Sequence, residues 1–146
     1  MWNRTFVSTV ASAVLTLVAA RSIAGAETFT ITSHEPGASF AVGVGVTISG
    51  KHSLSASNPV WCFCRDATRG YYLQNPPVEI LADTWEASNI QPGQGIDTIV
   101  FCQVDKVGDE RLRKWVEQKR WGKIDEDEIK KLPGFRELAR LKVMVK

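Results

Sequence analysis

Val42-Gly43-Val44-Gly45-Val46-Thr47-Ile48-Ser49-Gly50 sets an apolar side chain at every second position, with a small or polar residue between. Successive side chains of an extended chain point to opposite faces, so this spacing predicts a half-buried strand that closes on Gly50. Thr28-Phe29-Thr30-Ile31-Thr32 carries the same period, with Phe29 and Ile31 on one face, and Glu35-Pro36-Gly37 turns the chain between the two. Residues 60–65 read as a third strand, 67–70 as a turn and 71–73 as a short return strand that completes a hairpin. Brief strands are expected at 78–81 and 84–87. Gln91-Pro92-Gly93-Gln94-Gly95 is a loop, and residues 96–104 give the longest strand signal in the chain. The polar, Ser-rich residues 51–59 predict an exposed loop.

One helix interrupts the strands. Asp109 is placed to cap it, because its carboxylate can accept from a main-chain N–H of the first turn. Leu112, Trp115 and Val116 then fall at helical spacing, and Lys119 continues the row with its alkyl stem. Gly122 is read as the stop. Residues 125–132 predict a further helical turn that ends at Pro133-Gly134. In the last element Ala139, Leu141, Val143 and Val145 alternate with charged residues, which predicts a closing strand. Many short strands separated by turn signals predict a mainly β fold, an antiparallel sandwich with one α-helix inserted before the last strand.

The N-terminus reads as an export signal. Arg4 supplies the positive charge, residues 6–20 a short apolar run, and Ala24-Gly25-Ala26 a small-x-small cleavage site. The expected organisation is therefore a signal over residues 1–26 and one domain over 27–146, periplasmic or secreted. Of eighteen Lys and Arg, only Arg4 and Arg21 lie in the signal, and none of the sixteen Asp and Glu does. The domain is thus electrically balanced, which gives no reason to expect nucleic acid as a partner. With no second long apolar stretch, no stable membrane anchor is expected after cleavage. Charge is sparse over residues 27–95 and dense from Asp105 onward, a change from sheet to helix within one domain.

With the strands placed, Ile31-Thr32-Ser33-His34-Glu35-Pro36-Gly37 followed by Val46-Thr47-Ile48-Ser49-Gly50 resembles the opening of bacterial immunoglobulin-like envelope domains. Later pieces extend the likeness to an uncharacterised branch of such modules. They are Trp61, the run Tyr71-Tyr72-Leu73-Gln74, Trp85, the 96–104 strand, a helix carrying Trp115, and Leu132-Pro133 before the final strand. The resemblance implies an immunoglobulin-like sandwich with a non-enzymatic accessory or binding role and no transferable active site; the expectation is an exported binding or structural module with a protein or glycan partner and no cofactor.

Two groups of residues are candidates for chemistry. Cys62 and Cys64 share a face of one strand, and Cys102 lies on the face of Val100 and Val104 in another. If those faces meet, Cys102 bridges to Cys64 or Cys62, much as immunoglobulin sheets are linked, and one thiol is left over. The alternative keeps all three reduced in the core. A metal site is disfavoured because Cys-x-Cys on a strand lacks the turn that wraps zinc. A hydrolase using Cys64 or Cys62 with His52 lacks any residue placed to stabilise a thiolate. The second group is aromatic. Trp61, Tyr71, Tyr72 and Trp85 either fill the core or form a stacking platform for sugar rings or peptide. Adjacent Tyr71 and Tyr72 must point to opposite faces, so one of them is expected at the surface. Asp125-Glu126-Asp127-Glu128 with Lys130-Lys131 reads as a solvated helix face whose charges pair four residues apart. Trp115 and Trp121, flanking a basic stretch, are expected to pack on the sheet.

Overall fold

The computed structural model describes residues 26–55 and 57–146. The expected export signal lies outside the described residues except for Ala26. In chain order run β1 (Phe29–Ile31), β2 (Ala38–Phe40), β3 (Val46–His52), β4 (Val60–Asp66), β5 (Gly70–Leu73) and β6 (Glu79–Ile80). They are followed by β7 (Thr84–Ile90), β8 (Ile96–Gln103), α1 (Lys106–Glu117), β9 (Ile124–Asp125), α2 (Glu126–Lys130) and β10 (Arg136–Val145). Strand outweighs helix, 44% to 14%, so the chain is mainly β. Two sheets form, in the orders β1-β3-β7-β6 and β2-β10-β8-β4-β5-β9.

Alternation along the central strands decides how these sheets are covered. Val60, Cys62 and Cys64 of β4 and Ile99 and Phe101 of β8 face the smaller sheet. There they join Ile48, Trp85, Ala87, Ile90, Leu141 and Val143 in a core between the two sheets. The intervening residues Trp61 and Phe63, with Val100 and Cys102, point the other way, into a second core. That core is completed by Leu112 and Trp115 of α1, Ile124 of β9 and Ile129 of α2. The molecule therefore has three layers: a four-stranded sheet, a six-stranded sheet, and a helical layer on its far face.

Aromatic packing ties the two sheets together. Phe29 stacks on Trp85 with ring centroids 4.4 Å apart, and Trp85 meets Phe101 at 4.8 Å. Gly50 makes this approach possible: a Cβ there would lie 1.7 Å from the Thr30 carbonyl oxygen and 2.8 Å from the Trp85 ring. The helical layer is fixed by polar contacts. Trp61 Nε1 donates to Asp109 Oδ1 at 2.9 Å, and Arg113 Nε donates to Asp109 Oδ2 at 2.8 Å. Gly108 lets α1 come close, since a Cβ would sit 2.5 Å from the Pro133 carbonyl oxygen and 2.8 Å from Val104 Cβ.

Several expectations are corrected. The strand predicted from Val42 begins only at Val46, and Val42 and Val44 are exposed. Gly43 adopts a left-handed φ of +67° and turns the chain there, while the main chain of Val42 bonds to Lys146 and that of Gly43 to Pro92. The helix is capped by Asp105, whose side chain accepts from Gly108 N. Asp109 does not cap, because its carboxylate is taken by Trp61 and Arg113. The helix ends at Gln118, ahead of the stop expected at Gly122, and Lys119 follows it with a left-handed φ of 53°. The sheets are not wholly antiparallel either. After the Gly37 turn, three-residue β2 crosses to the larger sheet and runs parallel beside β10, with Ala38 opposite Val143 and Phe40 opposite Val145. No helix among the described residues is long and apolar enough to cross a membrane.

Trp61→Phe removes the N–H that reaches Asp109 together with the five-membered part of a fully buried indole, which leaves a cavity in the second core. It is expected to lower the unfolding free energy by about 3 kcal/mol, the hydrogen bond to a charged acceptor plus the cavity, as read by urea denaturation.

Candidate functional site

An open groove of about 560 Å³ forms where β5, the β7–β8 connection and the segment after α1 converge. Tyr72 and Trp121 supply its aromatic surfaces, and Leu73 and Ile96 its aliphatic ones. Amides dominate the rest: Gln74, Asn75, Asn89, Gln91 and Gln94. Among the described residues no Asp, Glu, Lys, Arg or His lines it.

Each of these side chains is positioned by local structure. Tyr72 shares β5 with buried Tyr71 and Leu73 but projects to the opposite side, and its hydroxyl donates to Asp66 Oδ2 at 3.0 Å. Gln74 is a brace. Its nitrogen donates to the Tyr72 and Leu73 carbonyls, and its oxygen accepts the Gln91 main-chain N–H at 2.9 Å. Asn89 adopts a left-handed φ of +55°, a conformation Asn tolerates better than most residues, and its Oδ1 accepts from Gln91 Nε2 at 3.1 Å. Trp121 follows the left-handed turn at Lys119, and its main-chain N–H is bound to the Lys119 carbonyl. Its indole stands 45% exposed.

The aromatic residues singled out from sequence divide accordingly. Trp61, Tyr71 and Trp85 are buried and offer no platform to a ligand. Tyr72 is the member of the Tyr71–Tyr72 pair that reaches the surface, and it lines the groove. Trp115 packs on the sheet as expected, with the Arg120 guanidinium 4.4 Å above its ring. Trp121 was expected to pack there as well and instead overhangs the groove. No helical or strand period governs the chain at residues 119–123, so the local pattern carried no sign of where the indole would point.

The cysteine expectation is corrected. Cys62, Cys64 and Cys102 are all free and buried. β4 and β8 are neighbours in one sheet, with Trp61 opposite Cys102 and Cys62 opposite Phe101. Residues opposite one another share a face, so Cys102 points to the helical layer while Cys62 and Cys64 point between the sheets. The sheet itself separates the partners of the proposed bridge. Burial pushes the Cys64 thiol up to about 12 and raises Cys62 well above its ordinary value. Burial, and then Glu137, raise Cys102. His52 is engaged elsewhere: its Nε2 lies 2.7 Å from the Leu81 carbonyl, and its Nδ1 accepts from Leu54 N.

A second hollow, of about 480 Å³, is lined by residues 125–128 with Arg69, Lys130 and Lys131. Glu126 pairs with Lys130 as the four-residue spacing predicts, and also with Arg65, while Glu128 pairs with Arg120. The surface is largely self-neutralised. Among the described residues no group of three or more His, Cys, Asp or Glu is placed to hold a metal ion. No protein-family model matches the chain, and a search of curated proteins returns no match to it.

Two predictions follow from these environments. A thiol reagent at neutral pH should label none of the cysteines in the native protein and three after denaturation without reductant, and reductant should leave the melting temperature unchanged. The second concerns acid. Glu27 is held at about 2 against an ordinary 4.5, first by the Ser55 hydroxyl and then by Arg136. At Asp66, desolvation acts upward but is outweighed by donors from Thr68, Gly70 and Tyr72, which together hold it at about 2 against 3.8. Both carboxyls are depressed on folding, so their stabilisation is full above the ordinary values and is lost as pH falls from about 4 towards 2. Denaturation midpoints should drop across that window, and the drop should be smaller in Glu27→Gln/Asp66→Asn.

Proposed function

We propose that this chain is an exported, immunoglobulin-like binding module of the bacterial cell envelope, without catalytic activity, that takes its ligand in the Tyr72–Trp121 groove. The observation that carries the reading is Trp121: an indole nearly half exposed, on a pinned main chain, above a groove lined by amides. A large aromatic left in water at the rim of a concave site is a common anchor for a ligand.

The immunoglobulin-like assignment is supported by strand order. β1-β3-β7-β6 follows the sequence order of strands A-B-E-D, and β10-β8-β4-β5 follows G-F-C-C′ of the variable type. The helical segment falls between the strands that correspond to F and G. The non-catalytic reading is supported by the state of the reactive side chains. The thiols are buried with raised pKa values, and both ring nitrogens of His52 are engaged by the main chain. Export is supported by the Arg4, apolar and Ala24-Gly25-Ala26 pattern.

Intact mass measured on protein recovered from the periplasm or medium of an expressing bacterium is expected to correspond to a chain starting at Glu27. Retention of full-length protein in the cytoplasm would sink the export reading. Trp121→Ala is expected to melt with the parent protein yet lose the thermal shift produced by whichever compounds of a mixed sugar, peptide and metabolite library stabilise the parent. A shift retained in full would place the site elsewhere.

A further inference from the structure

We infer that the occupant of the Tyr72–Trp121 groove is an uncharged saccharide of a few rings, stacked on the Trp121 indole and held through its hydroxyls by Asn89 and Gln91. The inference rests on the reading of this groove as the ligand site and adds the class of ligand.

Charge is the first argument. An ionic ligand that loses water on entering a site must find an opposite charge there, or its lost hydration goes uncompensated. Among the described residues the groove lining holds no cationic or carboxylate side chain. Its Tyr72 hydroxyl is engaged by Asp66, and the Cys64 thiol on its wall is 1% exposed and protonated. Phosphorylated or carboxylated ligands therefore gain nothing here over neutral ones.

The polar groups give the second argument. Gln91 Nε2 donates to Asn89 Oδ1, which leaves Gln91 Oε1 and Asn89 Nδ2 as an acceptor and a donor on two side chains already oriented by each other. A sugar hydroxyl both donates and accepts, so neighbouring hydroxyls on a ring match a fixed donor–acceptor pair. Gln74 holds this arrangement to β5 through the Gln91 main-chain N–H, so little ordering remains to be done on binding. Asn75 and Gln94 are exposed on the same lining and extend the amide surface beyond one ring.

Trp121 is the third argument. The C–H face of a pyranose is apolar while its rim is polar, which matches a flat indole bordered by amides. An extended peptide is the competing occupant, and the groove suits it poorly. Strand addition needs free main-chain groups along an edge. Here the Leu73 carbonyl is already bonded by Gln74, and β9 covers Gly70 and Tyr71 of β5. The volume, about 560 Å³, lies within the range of sites for small ligands.

The test uses the full domain and titrates Trp fluorescence and calorimetric heat with neutral trisaccharides of glucose, of mannose and of N-acetylglucosamine. Trigalacturonate and an uncharged, end-blocked tripeptide serve as contrasts. At least one neutral trisaccharide is expected to bind, with affinity falling ~30-fold in Trp121→Ala and ~10-fold in Asn89→Ala. Trp121→Phe, which keeps an aromatic face, should recover much of the loss, and all variants should melt with the parent. In the absence of neutral-sugar binding, trigalacturonate binding that depends on Trp121 would overturn the uncharged character of the ligand, tripeptide binding that depends on Trp121 would overturn the saccharide class, and either would leave the groove standing. Neutral-sugar binding unaffected by Trp121→Ala and Asn89→Ala would overturn the groove itself. Binding of none of the probes would overturn the saccharide inference.

Discussion

β4 and β8 are apolar on both faces, and the rest of the molecule is arranged to cover them twice. A sheet with one wet face asks each strand for alternating apolar and polar residues, whereas Val60-Trp61-Cys62-Phe63-Cys64 and Ile99-Val100-Phe101-Cys102 are continuous apolar runs. The smaller sheet covers one side. On the other, each of Phe63, Val100 and Leu112 contributes about 1.5–3 kcal/mol by leaving water. Three such side chains already equal a large part of what a domain of this size has in net stability. The helical segment between β8 and β10 is thus part of the core, and a sandwich lacking it would expose Trp61 and Phe63.

Apolar contact alone does not fix where a helix lies, because the hydrophobic effect is non-directional. Register comes from a few polar contacts at the rim of the second core. Asp109 holds Trp61 and Arg113 together at the start of α1. Glu126 at the start of α2 takes both Arg65 and Lys130. Each carboxylate receives two donors, and the Arg65 and Trp61 partners come from β4, so both helices are indexed to the same strand. Arg65 Nε is buried without a partner among the described residues, and its guanidinium lies 5.9 Å from the Tyr71 ring centroid. The bond from Arg65 Nη2 to Glu126 offsets part of the cost of burying that group.

What the sequence disclosed and what it withheld separate along physical lines. Strands with sustained apolar alternation, such as 46–50 and 139–145, were legible because the period is local. The short stripe of Leu112, Trp115 and Val116 was legible for the same reason. The start of the helix was not, since Asp105 and Asp109 are the same capping residue type and only Trp61 reaching Asp109 from β4 separates them. β2 and β9 were invisible, being too short to show a period and existing only because β10 and β5 offer them edges. The cysteine pairing failed through one missing fact. Strand pairing within a sheet and facing across a core look alike in sequence, and only the register Trp61–Cys102 shows that the thiols lie on opposite sides. The groove was half legible: Tyr72 stood among the candidates, while Trp121 lies in a stretch without periodicity.

The same double coverage accounts for where the groove is. Both broad faces of the central sheet are occupied by the protein's own layers, so little flat sheet surface remains near β4 and β8 to receive a ligand. What remains open is the end of β5 beyond β9, because β9 pairs only Gly70 and Tyr71 and leaves Tyr72 and Leu73 uncovered on that side. The chain leaving α1 passes this gap before it enters β9, and the β7–β8 connection borders it from the sheet end. A helical layer added to bury Trp61 and Phe63 therefore also carries Trp121 to the end of β5 that β9 leaves unpaired. Exposure of Trp121 and burial of Trp115, six residues apart on the same segment, are two results of one geometry: the first lies past the edge of the second core, and the second lies over its centre.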